Sequence, residues 1–513
     1  MALPSPPSAD ISSIAEAQQD DADIGVSPSV WRYVRASRAH VIVDAAAYFE
    51  LLQVAMLQAR QRVMLVGWDF DTRIRLATGR RWWNLPRREH FPARVGTFIL
   101  WLIRHRPALE VMVLRWNVAV LSFLLRGTMV IDLARWHFSG GIKFRLDAAH
   151  PFGCSHHQKI AVIDDRMAAC GGIDVTGDRW DTPGHLDDDP GRRRPNGKPY
   201  GPWHDLSMLV EGEAAEALGE LSRRRWLHSG GEALLPCRPQ TESAWPDELA
   251  AEFTDVEIGI SRTRAAWKGA PAVREIEALF VEHIAAAQKF IYAESQYFAS
   301  HRIAEAFARR LIEPDPPEII LVTALASSGW LQQAAMDGAR VELLRALEGH
   351  DHARRLHTYV PHTTGGVPIY VHAKLMIIDD QIMRIGSANL NNRSMGLDSE
   401  CDLFLDARRP ANYHIVPAIT SLRHRLLAEH CGMDEAAVGA ALAQSGASMA
   451  ALIDGAPRDG SHMRRFALIP LSNAEKAIAD SSLLDAERPE EIFEPMARRR
   501  GLFRRGGLLR KPG

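Results

Sequence analysis

The pattern His-x-Lys-x4-Asp occurs twice in this chain, as His157, Lys159 and Asp164 and again as His372, Lys374 and Asp379, with an apolar run between Lys and Asp each time (residues 160–163 and 375–378). Such a run marks a buried β-strand, along which side chains alternate between faces. His157 and Lys159 therefore share a face, as do His372 and Lys374. Asp164 and Asp379 stand at odd separations from their partners and point the other way, which gives them a supporting, salt-bridging place within the two catalytic motifs. A lone strand His with a Lys two positions on is ordinary decoration; two copies in register are not. Each copy is followed by a glycine-led turn, Gly171-Gly172-Ile173-Asp174 and Gly386-Ser387-Ala388-Asn389. Glycine lets a ligand approach the backbone closely, and the small polar residues beside it supply donors for an oxyanion.

The order of elements leading to each motif also repeats. An apolar period from residue 41 through Phe49, Leu52 and Met56 predicts a helix, followed by a strand at 62–71, a helix at 95–105 and a strand at 110–116. The second series predicts a helix at 273–288, a strand at 289–298, a helix at 301–312 and a strand at 318–325. This pattern places the chain in the α/β class, as two duplicated halves, each a mostly parallel or mixed sheet flanked by helices. The expected division is a disordered tail at 1–28, a first half at 29–240, a second half at 241–435, and a C-terminal helical segment with a basic tail at 436–513. Residues 182–202 read as a charged Pro/Gly loop and 236–262 as the linker between halves.

A chain of 513 residues is too long for one ordinary core. Its net charge of −2 gives no global pull toward nucleic acid or an anionic surface, so any such attraction is local. The Arg-rich end, 498–511, with Leu502, Phe503, Leu508 and Leu509 interleaved, suits an anionic membrane surface and equally a solvated tail. Five cysteines without CxxC spacing argue against a disulfide framework and against a structural zinc site. The N-terminus carries no leader pattern, and the most apolar stretch, 111–125, is interrupted by Arg115 and Asn117. The expectation is a protein of a reducing compartment, cytoplasmic or peripheral to a membrane, with export by a signal-independent route left open.

With these residues in hand, the sequence resembles the phospholipase D superfamily, and within it the phospholipase D proper branch. The resemblance runs from about residue 41 to 434. It is carried by the two motifs, Gly-Gly-Ile-Asp and Gly-Asp-Arg-Trp-Asp (177–181), Pro-Trp-His-Asp (202–205), Tyr-Ala-Glu-Ser-Gln-Tyr-Phe (292–298) and the helix-like 426–434. Glu294-Ser295-Gln296 stands where Glu-Asn-Gln is more usual. The resemblance implies two halves packed about a pseudo-twofold axis with both motifs at one site, and phosphodiester cleavage through a covalent phosphohistidine. It assigns His157 as nucleophile and His372 as general acid and base.

The residues suit that chemistry. A phosphodiester is an anion whose transition state keeps charge on its non-bridging oxygens. Lys159 and Lys374 can neutralise it, while Ser387 and Asn389 are expected to bind the phosphate. Four such groups replace a metal, and a Lys beside each imidazole makes a poor ligand set, so no metal and no cofactor is expected in the reaction. Imidazole titrates near neutral pH, so one His can be neutral while the other is protonated. Each imidazole needs a carboxylate on its other nitrogen: by position, Asp205 is the candidate for His157 and Glu400 for His372. Arg179, Asp181 and Arg393 are expected in salt bridges between halves, and Trp68, Trp116 and Trp330 in core packing. The expected activity is phospholipase D hydrolysis of glycerophospholipids at a membrane surface, with water or an alcohol as acceptor. Its rivals are a phosphatidyltransferase of the cardiolipin synthase type, a nuclease, and a non-catalytic lipid-binding scaffold. Nucleic acid is not expected as a partner, and a monomer suffices because both motifs lie in one chain.

Overall fold

The computed structural model describes residues 25–76, 91–117, 127–326 and 330–468 apart from positions 445 and 447; the expectations for residues 1–24 and for the basic tail lie outside these. The first half comprises β1 (Arg32–Val43), α1 (Ala45–Gln58), β2 (Arg62–Gly67), α2 (Val95–His105), β3 (Glu110–Trp116), α3 (Thr128–His137), β4 (Ile142–Asp147), β5 (Ile160–Ile163), β6 (Met167–Gly171), β7 (Trp203–His204), β8 (Leu206–Glu211) and α4 (Glu213–His228). The second comprises β9 (Phe253–Arg264), β10 (Val273–Arg274), α5 (Glu275–Ala286), β11 (Phe290–Ser295), α6 (His301–Leu311), β12 (Glu318–Val322), α7 (Trp330–Glu348), β13 (Leu356–His362), β14 (Tyr370–Val371), β15 (Lys374–Ile378), β16 (Ile382–Gly386), α8 (Asn392–Gly396), β17 (Glu400–Asp406) and α9 (Val416–Cys431). The short helices α10 (Glu435–Gln444) and α11 (Met449–Gly455) and a last strand, β18 (His462–Arg465), follow.

One large mixed sheet runs through both halves. Outward from the β1–β9 junction the order is β1, β8, β6, β5, β2, β3, β4 on one side and β9, β17, β16, β15, β11, β12, β13, β18 on the other. Among the described residues of this sheet, parallel strand pairing is confined to β2–β3–β4 and β11–β12–β13. Helices α1–α3 pack their apolar residues, such as Phe49, Phe98 and Trp136, on the first half's outer face. Phe280 of α5, Phe307 of α6 and Leu347 of α7 do the same for the second. The opposite faces share one continuous core, in which Trp226 of α4, Ile160, Ile260, Leu375 and Leu426 of α9 belong to a single cluster. Among the described residues no single helix is long and apolar enough to cross a bilayer.

The helices and strands expected before each motif form at nearly the expected places, and the pair that joins the halves was not foreseen. β9 occupies the end of the segment read as a linker. Asp255 adopts a left-handed conformation (φ 51°) and is skipped in the β1–β9 register, where Ala36 faces Val256 and Arg38 faces Thr254. Ser37 drops out opposite it, so the register is unchanged on either side, but Phe253 and Val256 are both buried around an exposed Thr254-Asp255 pair and the strand alternation is broken in the sequence. β1 is masked differently: its arginines reach out to acids of α4 and β8, Arg32 to Glu220 at 2.6 Å and Arg38 to Glu211 at 3.8 Å. The segment after 436 is helical as expected, but β18 also adds an antiparallel edge strand to β13, and Val438, Leu442, Ile453 and Met463 enter the shared core.

Candidate active site

The two His-Lys segments meet because the sheet folds about its β1–β9 junction until β6 faces β17: Cys170 Sγ lies 3.4 Å from the Cys401 carbonyl oxygen. Each segment is then zipped to the other half. β14, just ahead of His372, pairs in parallel with β7, and the His372 N–H donates to the His204 carbonyl at 2.7 Å. His156 bridges Ser399, and the His157 N–H donates to the Ser399 carbonyl at 3.0 Å.

This zippering sets the carboxylates, and it crosses them relative to the sequence expectation. His157 Nδ1 lies 2.9 and 3.0 Å from the two oxygens of Glu400, and His372 Nδ1 lies 2.7 Å from Asp205 Oδ2. The residue that precedes Glu400 holds the backbone of the first motif, and the residue that precedes Asp205 holds that of the second, so each imidazole receives its carboxylate from the opposite half. Gly172 permits this on one side, because a Cβ there would stand 2.0 Å from Asp205 Oδ1.

Ser387 is also placed differently from its expected phosphate-binding role. Its hydroxyl donates to Glu400 Oε2 at 2.6 Å and accepts from the Cys401 N–H, while Ser394 donates to Glu400 Oε1 at 2.7 Å. Both hydroxyls therefore orient the partner of His157. Asn389 keeps spare capacity: its side-chain oxygen is buried without a hydrogen-bond partner among the described residues. Lys159 Nζ donates to the His157 carbonyl at 2.8 Å and lies 3.4 Å from Asp174 Oδ2; Lys374 Nζ donates to the His372 carbonyl and lies 3.4 Å from Gln296 Oε1. The functional places of Asp174, Gln296 and Ser394 were not assigned from sequence. The signal for Asp174 was present, since it stands in the Gly-Gly turn where Asn389 stands in the Gly-Ser turn.

Asp164 and Asp379 sit outside the site. Asp164 accepts three successive backbone N–H groups, of Arg60, Gln61 and Arg62, each at 2.7 Å; Asp379 accepts those of Gln288, Lys289 and Phe290 at 2.6–2.8 Å. Each also opens a tight turn with two left-handed residues, Asp164-Asp165 and Asp379-Asp380, a conformation that Asp tolerates. Of the residues expected to bridge the halves, Asp181 pairs within its own half, with Arg192 (3.1 Å) and His185 (3.0 Å). Arg393 pairs with Asp398 but also donates to the Gly153 carbonyl across the junction at 2.7 Å. Arg179 lies over the Trp203 ring, 4.3 Å from its centroid, and Trp203 packs at 5.0 Å on His372. Trp68 and Trp116, expected in the core, are half-buried and stacked on each other at 5.7 Å; the side chain of Trp330 lies outside the description.

Burial and the two lysines push His157 well below the ordinary imidazole value; burial, Lys374 and Arg179 do the same to His372. Burial raises Asp205 and Glu400 to about 7, and lowers Lys374 to about 7. Both imidazoles are therefore neutral near pH 7 in the free site, which differs from the expected neutral–protonated pair. A neutral imidazole whose Nδ1–H faces a carboxylate presents an unprotonated Nε2, the form needed for attack.

Known proteins resemble this chain in sequence and in fold. Residues 280–416 match a family model described as cardiolipin synthase, PLD-like domain. Phospholipase D1 of Schizosaccharomyces pombe is 24% identical over 384 residues, covering 55% of this chain and 27% of that protein. Phospholipase D alpha 1 of Zea mays is 27% identical over 403 residues, covering 55% and 49%. The match thus spans half or less of these relatives' length. The crystal structure of phosphatidylserine synthase from Haemophilus influenzae superposes with a TM-score of 0.51 at 11% identity, over 86% of this chain and 98% of that one, a likeness of fold. The PLD-like domain at residues 280–416 and the similarity to these phospholipase D proteins together support a place for the chain in the phospholipase D superfamily.

Proposed function

We propose that the chain is a phospholipase D, converting glycerophospholipids to phosphatidic acid and a head-group alcohol. The observation that carries this reading is the pair of imidazoles, each oriented through Nδ1 by a buried carboxylate and each accompanied by a lysine. A bound diester sits against Lys159 and Lys374, with Asn389 at its oxygens. His157 Nε2 attacks phosphorus; the N–P bond forms as the P–O bond to the head group breaks, and His372 gives that oxygen its proton. The bound anion offsets the lysine charges that hold His372 deprotonated in the free site, which favours the protonated His372 that this step requires. In the second step His372 takes a proton from water or an alcohol, whose oxygen displaces His157 from phosphorus. Glu400 stabilises the charged phosphohistidine without touching substrate. The electrostatic work falls to two ammonium groups, so the scheme routes no step through a metal.

The membrane is the proposed partner. The loop leading into each motif carries an exposed apolar side chain, Phe152 (76% exposed) ahead of His157 and Val367 (42%) ahead of His372. These are suited to dip into a phospholipid surface from which the substrate is drawn. The family description for residues 280–416 favours one second reading, phosphatidyl transfer to a lipid alcohol, which shares the first step and differs in the acceptor. The deciding experiment is mass spectrometry of lipids after incubation with mixed phospholipid vesicles and a primary alcohol. Phosphatidic acid and the phosphatidyl-alcohol, both absent with His157→Ala, support hydrolysis and transfer through one intermediate. Product formed only when a lipid alcohol is supplied supports the second reading, and no product with folded, vesicle-bound protein refutes both.

A further inference from the structure

Behind Asp205 lies a second cluster that the phosphodiester chemistry does not use. Asp44, at the start of α1, His185, from the 182–202 loop, His204, beside Asp205, and Glu429, of α9, converge with their donor atoms within 4.8 Å of one another. The separations are 2.8 Å (His204 Nδ1 to Glu429 Oε1), 3.1 Å (His185 Nε2 to Glu429 Oε1), 3.2 Å (His204 Nδ1 to Asp44 Oδ1) and 3.6 Å (His185 Nε2 to Asp44 Oδ2). Zinc bonds of about 2.0–2.1 Å place tetrahedral donors about 3.3 Å apart, within this spread. All four side chains are at most 4% exposed.

Three further observations point to an ion rather than to hydrogen bonding alone. His204 Nδ1, although 2.8 Å from a carboxylate oxygen, makes no aligned hydrogen bond, and Asp44 Oδ2 likewise has no hydrogen-bond partner among the described residues. Each imidazole turns its other nitrogen to a carboxylate, His185 Nδ1 to Asp181 at 3.0 Å and His204 Nε2 to Glu294 at 2.8 Å. That is the arrangement which fixes the tautomer of a metal-binding histidine. Those carboxylates are themselves held, Asp181 by Arg192 and the Trp203 N–H, Glu294 by His430 and Tyr292. Asp44 also occupies a strained backbone region (φ 63°, ψ 155°), the kind of cost that accompanies functional placement. The four carboxylates Asp44, Asp181, Glu294 and Glu429 share this buried volume with one guanidinium and three imidazoles, and a divalent ion supplies positive charge that otherwise requires protonated imidazoles.

We propose that Asp44, His185, His204 and Glu429 bind one divalent cation of the zinc class, tying the first half to α9 and fixing the strand end from which Asp205 reaches His372. The ion stands outside the reaction centre, and the proposal is independent of the phospholipase D reading because its readout is metal content. The full chain, expressed with zinc supplied and dialysed, is expected to carry about one zinc per chain by elemental analysis. His185→Gln and Glu429→Gln should each bring this to background, whereas Cys237→Ser should not. Cobalt substitution should give the visible absorption of a tetrahedral site, lost in the same variants. Should the variants fail to fold, the wild-type chain decides: a strong chelator should lower its thermal midpoint and zinc should restore it. Folded wild-type protein with less than about a tenth of an equivalent, and no cobalt uptake, overturns the proposal, as does full metal content in folded His185→Gln or Glu429→Gln.

Discussion

The crossed carboxylates predict which substitutions behave alike. Asp205 should act through His372 and Glu400 through His157, so Asp205→Asn should reproduce the kinetic pattern of His372→Asn, and Glu400→Gln that of His157→Asn. The magnitude follows from the contacts. Asp205 presents one oxygen to His372 at 2.7 Å and keeps the other on the Leu206 N–H at 2.9 Å, so Asn preserves the second bond and loses one charge-assisted interaction. Such a bond contributes about 1.5–3 kcal/mol, or roughly 10- to 150-fold in rate at about 1.4 kcal/mol per decade. Glu400 meets His157 with both oxygens and also accepts Ser387 and Ser394, so Gln disturbs three partners and falls at the upper end of that range or beyond. The assay compares a nitrophenyl phosphodiester, whose leaving group needs no proton, with a substrate that leaves as an alkoxide. Asp205→Asn and His372→Asn should release nitrophenolate in a burst, form the phosphohistidine and then stall, because the second step lacks its base. Glu400→Gln and His157→Asn should show no burst. Asp205→Asn matching His157→Asn, with Glu400→Gln matching His372→Asn, refutes the crossed geometry, whichever histidine attacks.

Other consequences concern pH, stability and the surface. Asp205 and Glu400 are raised to about 7 and Lys374 is lowered to about 7, so kcat/KM on a soluble diester should follow a narrow bell centred near 7, rising as the carboxylates ionise and falling as Lys374 loses its charge. In kcat the alkaline limb should move upward, because a bound anion favours the charged ammonium; a flat kcat/KM profile across roughly pH 5–9 refutes this. Asp164→Ala removes the acceptor for three backbone N–H groups and should lower stability to denaturant by about 2–4 kcal/mol. The protein that remains folded should turn over within about twofold of wild type, since Asp164 touches neither imidazole; a catalytic defect in fully folded protein would contradict its placement. Phe152→Asp together with Val367→Asp should weaken vesicle-based turnover about tenfold or more while leaving the soluble diester untouched, and equal losses on both substrates would rule out a membrane-contact role.

Much of the site was legible because its chemistry is written in short, locally structured segments. The alternation of a buried strand placed His157 with Lys159 and His372 with Lys374 on shared faces and set Asp164 and Asp379 aside, and the structure gives those aspartates backbone to hold. What was not legible depends on contacts between halves. Nothing within residues 200–210 or 395–405 says which imidazole their carboxylates will meet; that is decided by the β7–β14 pairing and the His156–Ser399 bridge. Ser387 reads as an oxyanion donor from its place beside Gly386, yet the turn rotates its hydroxyl onto Glu400. β9 escaped because a single left-handed residue, Asp255, breaks the alternation by which strands are recognised.

The crossing also explains why both carboxylates bear so large a burial cost. The folded protein raises Asp205 and Glu400 well above their unfolded values, so it favours their protonated forms: the stability they contribute is present below the ordinary carboxylate range and is lost as pH rises through about 7. A protein selected for stability alone would place amides there, and Asp205→Asn should accordingly be more stable than wild type above pH 7 while turning over more slowly. Charged carboxylates are tolerated because each serves an imidazole of the other half, where only a buried acceptor can hold Nδ1–H and leave Nε2 facing the phosphate. Neither half, with its own His, Lys and carboxylate, can orient its own imidazole. The antiparallel β1–β9 junction and the zippered loops at β7–β14 are therefore as necessary to the chemistry as the motifs. A substitution that loosens the contact between halves beside the His156–Ser399 bridge without touching a motif, such as Arg393→Ala, which removes a guanidinium from the Gly153 carbonyl, should lower kcat by misaligning the His157–Glu400 pair while leaving the fold of each half intact.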